Sequence, residues 1–221
     1  MLKKILSKLR GPAPKVQQRS KDDLHNYWRN AKDAANAPEL YLGVKDSQKR
    51  RSSFLVELVS AQVGQGASIL ELGCNVGRNL HYLHQAGYTH LHAIEINEDA
   101  VRLLRESFAD SAATAQILCG TIEENIRAFG DGQIDLVFTM AVLEHVHDDS
   151  EFIFKEMVRV GRTIVTIEDE RSHSERHFPR NYRSIFEGLG MAQVSETPLR
   201  QDAHGLSTSF VARVFRHSAG N

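Results

Sequence analysis

Cysteine is scarce in this chain: only Cys74 and Cys119 occur among 221 residues. Each lies in or beside an apolar strand-like run, so both are expected as reduced core thiols, not as a disulfide or a metal-binding pair. An excess of one charge is also missing. Lys and Arg number 27 against 28 Asp and Glu, giving a net charge of −1 and a pI near 6.8, which argues against a general nucleic-acid binder. No apolar run approaches the roughly 18–20 residues of a membrane span. The N-terminus shows neither a continuous apolar stretch nor a small-residue cleavage site, so a cytoplasmic location is expected. No repeat or low-complexity tract appears, and no Lys-Ser or Lys-Thr follows a Gly-rich turn, which excludes a P-loop for triphosphates.

What is present divides into three stretches. Residues 1–20 form a basic N-terminal extension, in which Leu2, Ile5, Leu6 and Leu9 share one helical face over Met1–Arg10 and Lys3, Lys4, Lys8 and Arg10 lie largely on the other. No acid occurs through Lys21. Such a segment can dock on an anionic membrane surface or on a partner, giving peripheral membrane contact through residues 1–21. The preferred reading is a short helix resting on the domain's own surface, because so short a helix buries little. Residues 21–66 read as N-terminal helices with a lid. Asp22–Ala31 carries the single tryptophan, Trp28, and Tyr27, Trp28 and Arg29 are candidates for a lid over a ligand. Ser47 is expected to cap a helix running to about Val63, with Phe54, Leu55, Leu58 and Val59 as its apolar stripe.

Residues 67–217 alternate strand and helix. Strands are expected at Ile69–Leu72, His90–Ile96, Gln116–Cys119, Gln133–Met140 and Arg162–Ile167. Helices are expected at Gly77–Gln85, from Asn97, and near Ile122–Phe129, Asp149–Val160 and Asn181–Leu189. This order implies a mostly parallel sheet covered on both faces, with ligands outside the carboxyl ends of the strands. Ala192–Thr197 and Ser207–Phe215 have no helical pattern between them and suit an antiparallel pair at the sheet edge.

Chemistry concentrates first in Ile69–Leu80, ILELGCNVGRNL. A strand enters a turn holding Gly73, Asn75 and Gly77, residues that tolerate φ > 0 and close backbone approach, and a helix follows. Glu95 ends the next strand, 22 positions beyond Gly73, where a carboxylate can accept bonds from adjacent ribose hydroxyls. The dinucleotide fingerprint needs Gly at position 78, and this chain has Arg78. That disfavours an NAD-linked oxidoreductase.

Four motifs in register, ELGCNVG, the acid of HAIEIN, IDLVF and LEHVHDD, resemble class I S-adenosylmethionine-dependent methyltransferases. The resemblance spans about Ser53–Phe215 and is closest to the small-molecule type with an L-E-H-V segment. With the alternation above it implies an α/β, doubly wound, mostly parallel seven-stranded sheet with an antiparallel last strand, Rossmann-like, plus N-terminal helices. It implies that Glu71, Gly73, Asn75 and Gly77, with Cys74 between them, line the methionine and ribose of S-adenosylmethionine. Glu95 would hold the ribose, with Ile96 beside it, and Thr139 and Met140 would border the sulfonium end. The family often has Gly where Asn75 stands, and commonly an Asp after the third strand for the adenine amino group. Here Thr121 or Glu123 would take that role, with the Ile122 backbone pairing to the ring. S-adenosylhomocysteine would be the product.

For the acceptor, His145 and His147 are candidate bases with carboxylates beside them. Arg176, His177 and Arg180, within RSHSERHFPRNYR, are candidates to bind an anionic group. The acids and histidines of EHVHDD, together with Glu168, Asp169 and Glu170, could hold a divalent ion such as magnesium or calcium, but such acids more often cap helices, and no metal is expected. The expected activity is methylation of a hydroxyl on a small molecule or glycan, a sugar hydroxyl first. N-methylation of a small molecule and a non-catalytic cofactor-binding scaffold are the alternatives.

Overall fold

The computed structural model describes residues 16–33, 35–43 and 45–217. The basic helix expected over Met1–Arg10 therefore lies outside the described residues. Among the described residues two α-helices precede the sheet, α1 (Lys21–Arg29) and α2 (Asp46–Ser60), with a 3-10 turn at Pro38–Tyr41 between them. Then follow β1 (Ile69–Leu72), α3 (Arg78–Gln85), β2 (Leu91–Glu95), α4 (Glu98–Ser107), α5 (Ala109–Thr114) and β3 (Gln116–Cys119). The second half runs α6 (Ile122–Asn125), β4 (Ile134–Met140), α7 (Phe152–Val160), β5 (Gly161–Asp169) and α8 (Tyr182–Gly188). It closes with β6 (Met191–Pro198), α9 (Gln201–His204) and β7 (Phe210–His217).

The seven strands lie in the order β3-β2-β1-β4-β5-β7-β6. β1 through β5 pair in parallel, while β7 runs antiparallel to both β5 and β6. The expected antiparallel pair is present, with β7 inserted between β5 and the edge strand β6. Strand order reverses between β1 and its neighbours β2 and β4, so the carboxyl ends of these three strands frame a crevice.

Two buried layers hold the sheet. On one face Leu55 and Val59 of α2, Leu80 and Leu83 of α3 and Leu104 of α4 pack on Ile69, Leu91, Leu136 and Val165. On the other, Ile153, Phe154 and Met157 of α7 and Tyr182 and Phe186 of α8 pack on Leu70, Leu72, Val137 and Ile164. Fully burying each such side chain contributes about 1.5–3 kcal/mol. Because Leu55 and Val59 are fully buried in this layer, α2 is part of the sheet's cover as well as bordering the crevice through Arg51, beside α1 and the segment that holds Asn36 and Tyr41.

Helix starts show where local chemistry overrode the expectation. α1 begins after Ser20, whose Oγ accepts Asp23 N–H at 3.2 Å, not at Asp22. α2 starts one residue before the expected Ser47 cap, with Lys45 as N-cap and the Gln48 side chain accepting the Lys45 N–H. α5 and α9 carry no periodic apolar signal long enough to announce them. Cys74 is buried as expected, but Cys119 is exposed, because β3 is an edge strand.

Candidate functional site

The β1–α3 turn takes three consecutive alternate positions into the left-handed region: Gly73 at φ 71°, Asn75 at 50° and Gly77 at 71°. The two glycines serve different ends. A Cβ on Gly73 would lie 2.7 Å from Val142 Cγ2, so this residue lets the segment after β4 approach the turn. A Cβ on Gly77 would lie 2.4 Å from Leu104 Cγ, so Gly77 allows α3 to pack against α4. Glu95 bridges the crevice floor, one carboxylate oxygen accepting Asn75 N–H at 2.7 Å and the other Asn97 N–H at 2.8 Å. Burial raises the Glu95 pKa, and those N–H bonds oppose the rise.

Above the turn lies a cavity of about 230 Å³. Of the residues read from sequence as cofactor contacts, Glu71, Gly73, Cys74, Asn75, Glu95, Ile96, Thr121, Ile122 and Met140 line it. Gly77 and Thr139 do not: Gly77 faces Leu104, and Thr139 is fully buried within β4. The Thr121 hydroxyl is engaged in capping α6, accepting Glu124 N–H at 3.2 Å and donating to the Glu124 carboxylate at 2.8 Å. Glu123 remains on the wall, tied through one oxygen to His25 Nε2 at 2.9 Å and Ser150 Oγ at 2.7 Å.

Two cationic wall residues went unread. Arg78, which sequence used only against a dinucleotide fold, is buried and lines the cavity, donating to Ser52 Oγ at 2.9 Å and to the Tyr41 carbonyl at 3.1 Å. Arg51 lines it too, and desolvation lowers the pKa of both, with the Arg51 charge adding to the effect on Arg78. Two desolvated guanidiniums on the wall favour an anionic group. Glu71 also lines the cavity and accepts from Asn79 Nδ2 at 2.8 Å, while its other oxygen is buried without a partner among the described residues. Burial pushes Glu71 up to about 8, against the pull of the Asn79 bond. Trp28, one of the three lid candidates, is on the wall, and its buried Nε1–H has no partner among the described residues. No local pattern marks either arginine, because tertiary packing alone brings them to the wall.

The segment after β4 forms the other end of the cavity. Ala141 holds φ 57°, an uncommon conformation for a residue with a Cβ and one that concentrates at functional sites. His145 and His147 both line the cavity, as the sequence placed them. The Trp28 ring packs on His145 at 4.6 Å, and His145 Nδ1 pairs with the Arg176 carbonyl at 2.8 Å. Burial pulls His145 down to about 4. His147 Nδ1 accepts Asp149 N–H at 3.0 Å, closing the short turn that precedes α7.

Of the expected acceptor contacts, Tyr27, Arg29, Arg176, His177 and Arg180 all sit outside the cavity wall. Arg180 is buried and clasps the loop after β4, donating to the Val146 carbonyl at 2.8 Å and to Asp148 at 2.6 Å. The Arg176 guanidinium lies over the Tyr27 ring at 4.2 Å, and the Tyr27 hydroxyl donates to Asp33. Arg29 is exposed at the end of α1. Burial raises both Glu144 and Glu168; the Glu168 charge adds to the rise at Glu144, while the Thr139 hydroxyl and hydrogen bonds from backbone N–H groups oppose it at Glu168. Asp169, pushed up by burial, is nevertheless held near 2 by the hydroxyls of Ser172 and Ser209 and by neighbouring N–H groups.

Residues 70–163 match the protein-family model described as a methyltransferase domain. Among solved structures, magnesium protoporphyrin IX methyltransferase from Synechocystis PCC 6803, with bound S-adenosylhomocysteine, superposes at a TM-score of 0.69. It is 14% identical, over 90% of this chain and 99% of that one. The 1,6-didemethyltoxoflavin-N1-methyltransferase of Burkholderia thailandensis reaches 0.64 at 13% identity, over 90% of this chain and 87% of that one. A SAM-dependent methyltransferase from Aquifex aeolicus reaches 0.59 at 15% identity, over 81% and 97%. These likenesses establish a shared fold.

Proposed function

We infer that this chain, whose residues 70–163 match a methyltransferase-domain model, is an S-adenosylmethionine-dependent enzyme that methylates a hydroxyl of a small molecule or glycan. The observation that carries the donor is the cavity at the reversal of strand order. Its floor is the backbone of the β1–α3 turn and the Glu95 carboxylate, and its walls hold a buried carboxylate oxygen, unpaired among the described residues, and two desolvated arginines. A zwitterionic amino acid joined to a nucleoside meets each of these groups. Glu71 suits its ammonium, Arg78 and Arg51 its carboxylate, Glu95 its ribose hydroxyls, and Ile96 and Ile122 offer apolar faces to the base. S-adenosylhomocysteine bound to the superposed enzymes from Synechocystis and Burkholderia supports the same assignment.

S-adenosylmethionine supplies a sulfonium methyl group for in-line displacement. The protein's part is to align the acceptor and exclude water. Trp28 and His145 pack together on the cavity wall that Met140 also lines, and α1 is tethered to the donor side through His25 to Glu123 at 2.9 Å and through the Trp28 carbonyl to Asn97 at 3.2 Å. We place the acceptor at the end where Trp28 meets His145. Of the two imidazoles His147 is the better proton acceptor, because its Nε2 is uncommitted, whereas burial makes His145 a weak base. A glycan or small polyol is the first acceptor class, and a small amine the alternative. Incubating cell extract with methyl-labelled S-adenosylmethionine, followed by mass spectrometry of labelled products, decides between them. Label on oxygen of a carbohydrate supports the reading, label on nitrogen redirects it, and no label with intact cofactor binding points to a scaffold.

A further inference from the structure

Beside the cavity, the loop after β4 and the loop after β5 bring three metal-ligating side chains to one point. One ligand atom from each of Glu144, His145 and His177 lies within 4.8 Å of the other two. Glu144 Oε1 is 3.7 Å from His145 Nε2 and 3.9 Å from His177 Nε2, and none of these three atoms makes a hydrogen bond within the described residues. Each group is instead fixed from its far side. His145 Nδ1 pairs with the Arg176 carbonyl at 2.8 Å, and His177 Nδ1 lies 2.5 Å from Ser174 Oγ. The second oxygen of Glu144 accepts Asp169 N–H, and the Glu144 carbonyl accepts Phe178 N–H at 2.8 Å. The Arg176 guanidinium, the cation carried by the same loop, is drawn onto the Tyr27 ring.

Imidazoles tied at Nδ1 to a carbonyl or hydroxyl, with Nε2 left free, are how proteins orient histidines toward a metal. Two imidazoles and one carboxylate form a first-row transition-metal set with open positions, whereas magnesium and calcium take oxygen donors. Tetrahedral bonds of about 2.0–2.2 Å to one ion place ligand atoms about 3.3–3.6 Å apart. The two Glu144 separations must therefore shorten by a few tenths of an ångström, and the two imidazole nitrogens, which lie within 4.8 Å of each other, must close to the same spacing.

We propose that Glu144, His145 and His177 bind one divalent transition-metal ion, zinc being the expected occupant. The set shares Glu144 and His145 with the EHVHDD group that sequence offered to a metal, but Asp148 and Asp149 are exposed, and the third ligand, His177, comes from beyond β5. His145 also lines the cavity, so the ion's open positions face the acceptor end and would take an acceptor oxygen. That last role rests on the methyl-transfer reading, whereas metal binding itself does not.

Cobalt(II) titrated into metal-free full-length protein, followed by visible absorption, tests the site without any activity measurement. One equivalent should bind and be displaced by one equivalent of zinc. His177→Gln and His145→Gln should each weaken cobalt binding by about tenfold or more, while His173→Gln, an exposed histidine of the same loop, should leave it unchanged. Circular dichroism and thermal melting report whether each variant folds. If His177→Gln does not fold, Ser174→Ala, which keeps the backbone contact and removes the hydroxyl paired with His177 Nδ1 and Arg176 N–H, should still weaken binding. Absence of cobalt absorption at millimolar metal, or equal binding by wild type and a folded His177→Gln variant, overturns the proposal. S-adenosylhomocysteine calorimetry on the same samples keeps failure of the methyl-transfer reading separate from failure of the metal site.

Discussion

The two ends of the cavity are built in different ways. At the donor end, contacts are short in sequence and mostly backbone: Glu95 reaches Asn75 and Asn97, and Asn79 reaches Glu71 from eight positions away. At the acceptor end they are long and carried by side chains. Gln18 donates to the His177 carbonyl at 3.0 Å across 159 positions, Arg19 pairs with Glu175, and Arg176 lies on Tyr27. A donor site common to many enzymes can be written locally in one strand, turn and helix. An acceptor site particular to one enzyme is assembled from whatever the loops bring together.

That contrast ranks the expected effects of mutation. Gly73→Ala should have the largest, because its Cβ would meet Val142 at 2.7 Å in a left-handed turn. Chemical denaturation should show a loss of about 1–3 kcal/mol, and calorimetry a loss of S-adenosylhomocysteine affinity of about tenfold or more. An unaffected affinity would detach the turn from the ligand. Next, Glu95→Gln keeps an oxygen for one backbone N–H but removes the charge. Affinity should fall about tenfold to a hundredfold, the usual weight of a charge-assisted hydrogen bond, with little change in acceptor KM.

A pH effect comes third. Burial holds Glu71 near 8 in the free protein, so it carries a proton at neutral pH and ionises above that value. A ligand ammonium favours the ionised form, so binding below about pH 8 should release a proton. Affinity should then rise by at most about tenfold per pH unit and level off above pH 8. Calorimetry in buffers of different ionisation heat measures the proton directly, and Glu71→Gln should flatten the profile. Zero proton release by the wild type would remove the ammonium from Glu71. Smallest of all is the expected effect of Arg176→Ala on the donor: S-adenosylhomocysteine affinity should stay within about twofold. The lost contact with Tyr27, about 0.5–1 kcal/mol, should appear in acceptor KM. A large drop in donor affinity would erase the division between the two ends.

The same contrast explains what could be read from the chain beforehand. Alternating strands and helices gave the sheet and its antiparallel last strand, because each strand carries its own burial pattern. The dihedrals of Gly73, Asn75 and Gly77 followed from residue type, since few other residues accept φ > 0. The role of Gly77 did not, because only the tertiary position of Leu104 shows that packing, not a ligand, needs it. Arg180 reads as a free cation in the sequence and is a buried clasp in the fold, for the same reason. Arg51 and Arg78 reach the wall through helices whose placement no local pattern specifies. The Glu144–His145–His177 convergence spans two loops and has no spacing to detect.

The most direct test of the donor site is calorimetric titration of the wild-type protein with S-adenosylhomocysteine, with NADH run in parallel. The cavity chemistry predicts one-to-one binding of S-adenosylhomocysteine in the micromolar range, about −8 kcal/mol, and no binding of NADH. Binding of NADH, or no heat with S-adenosylhomocysteine, would contradict it.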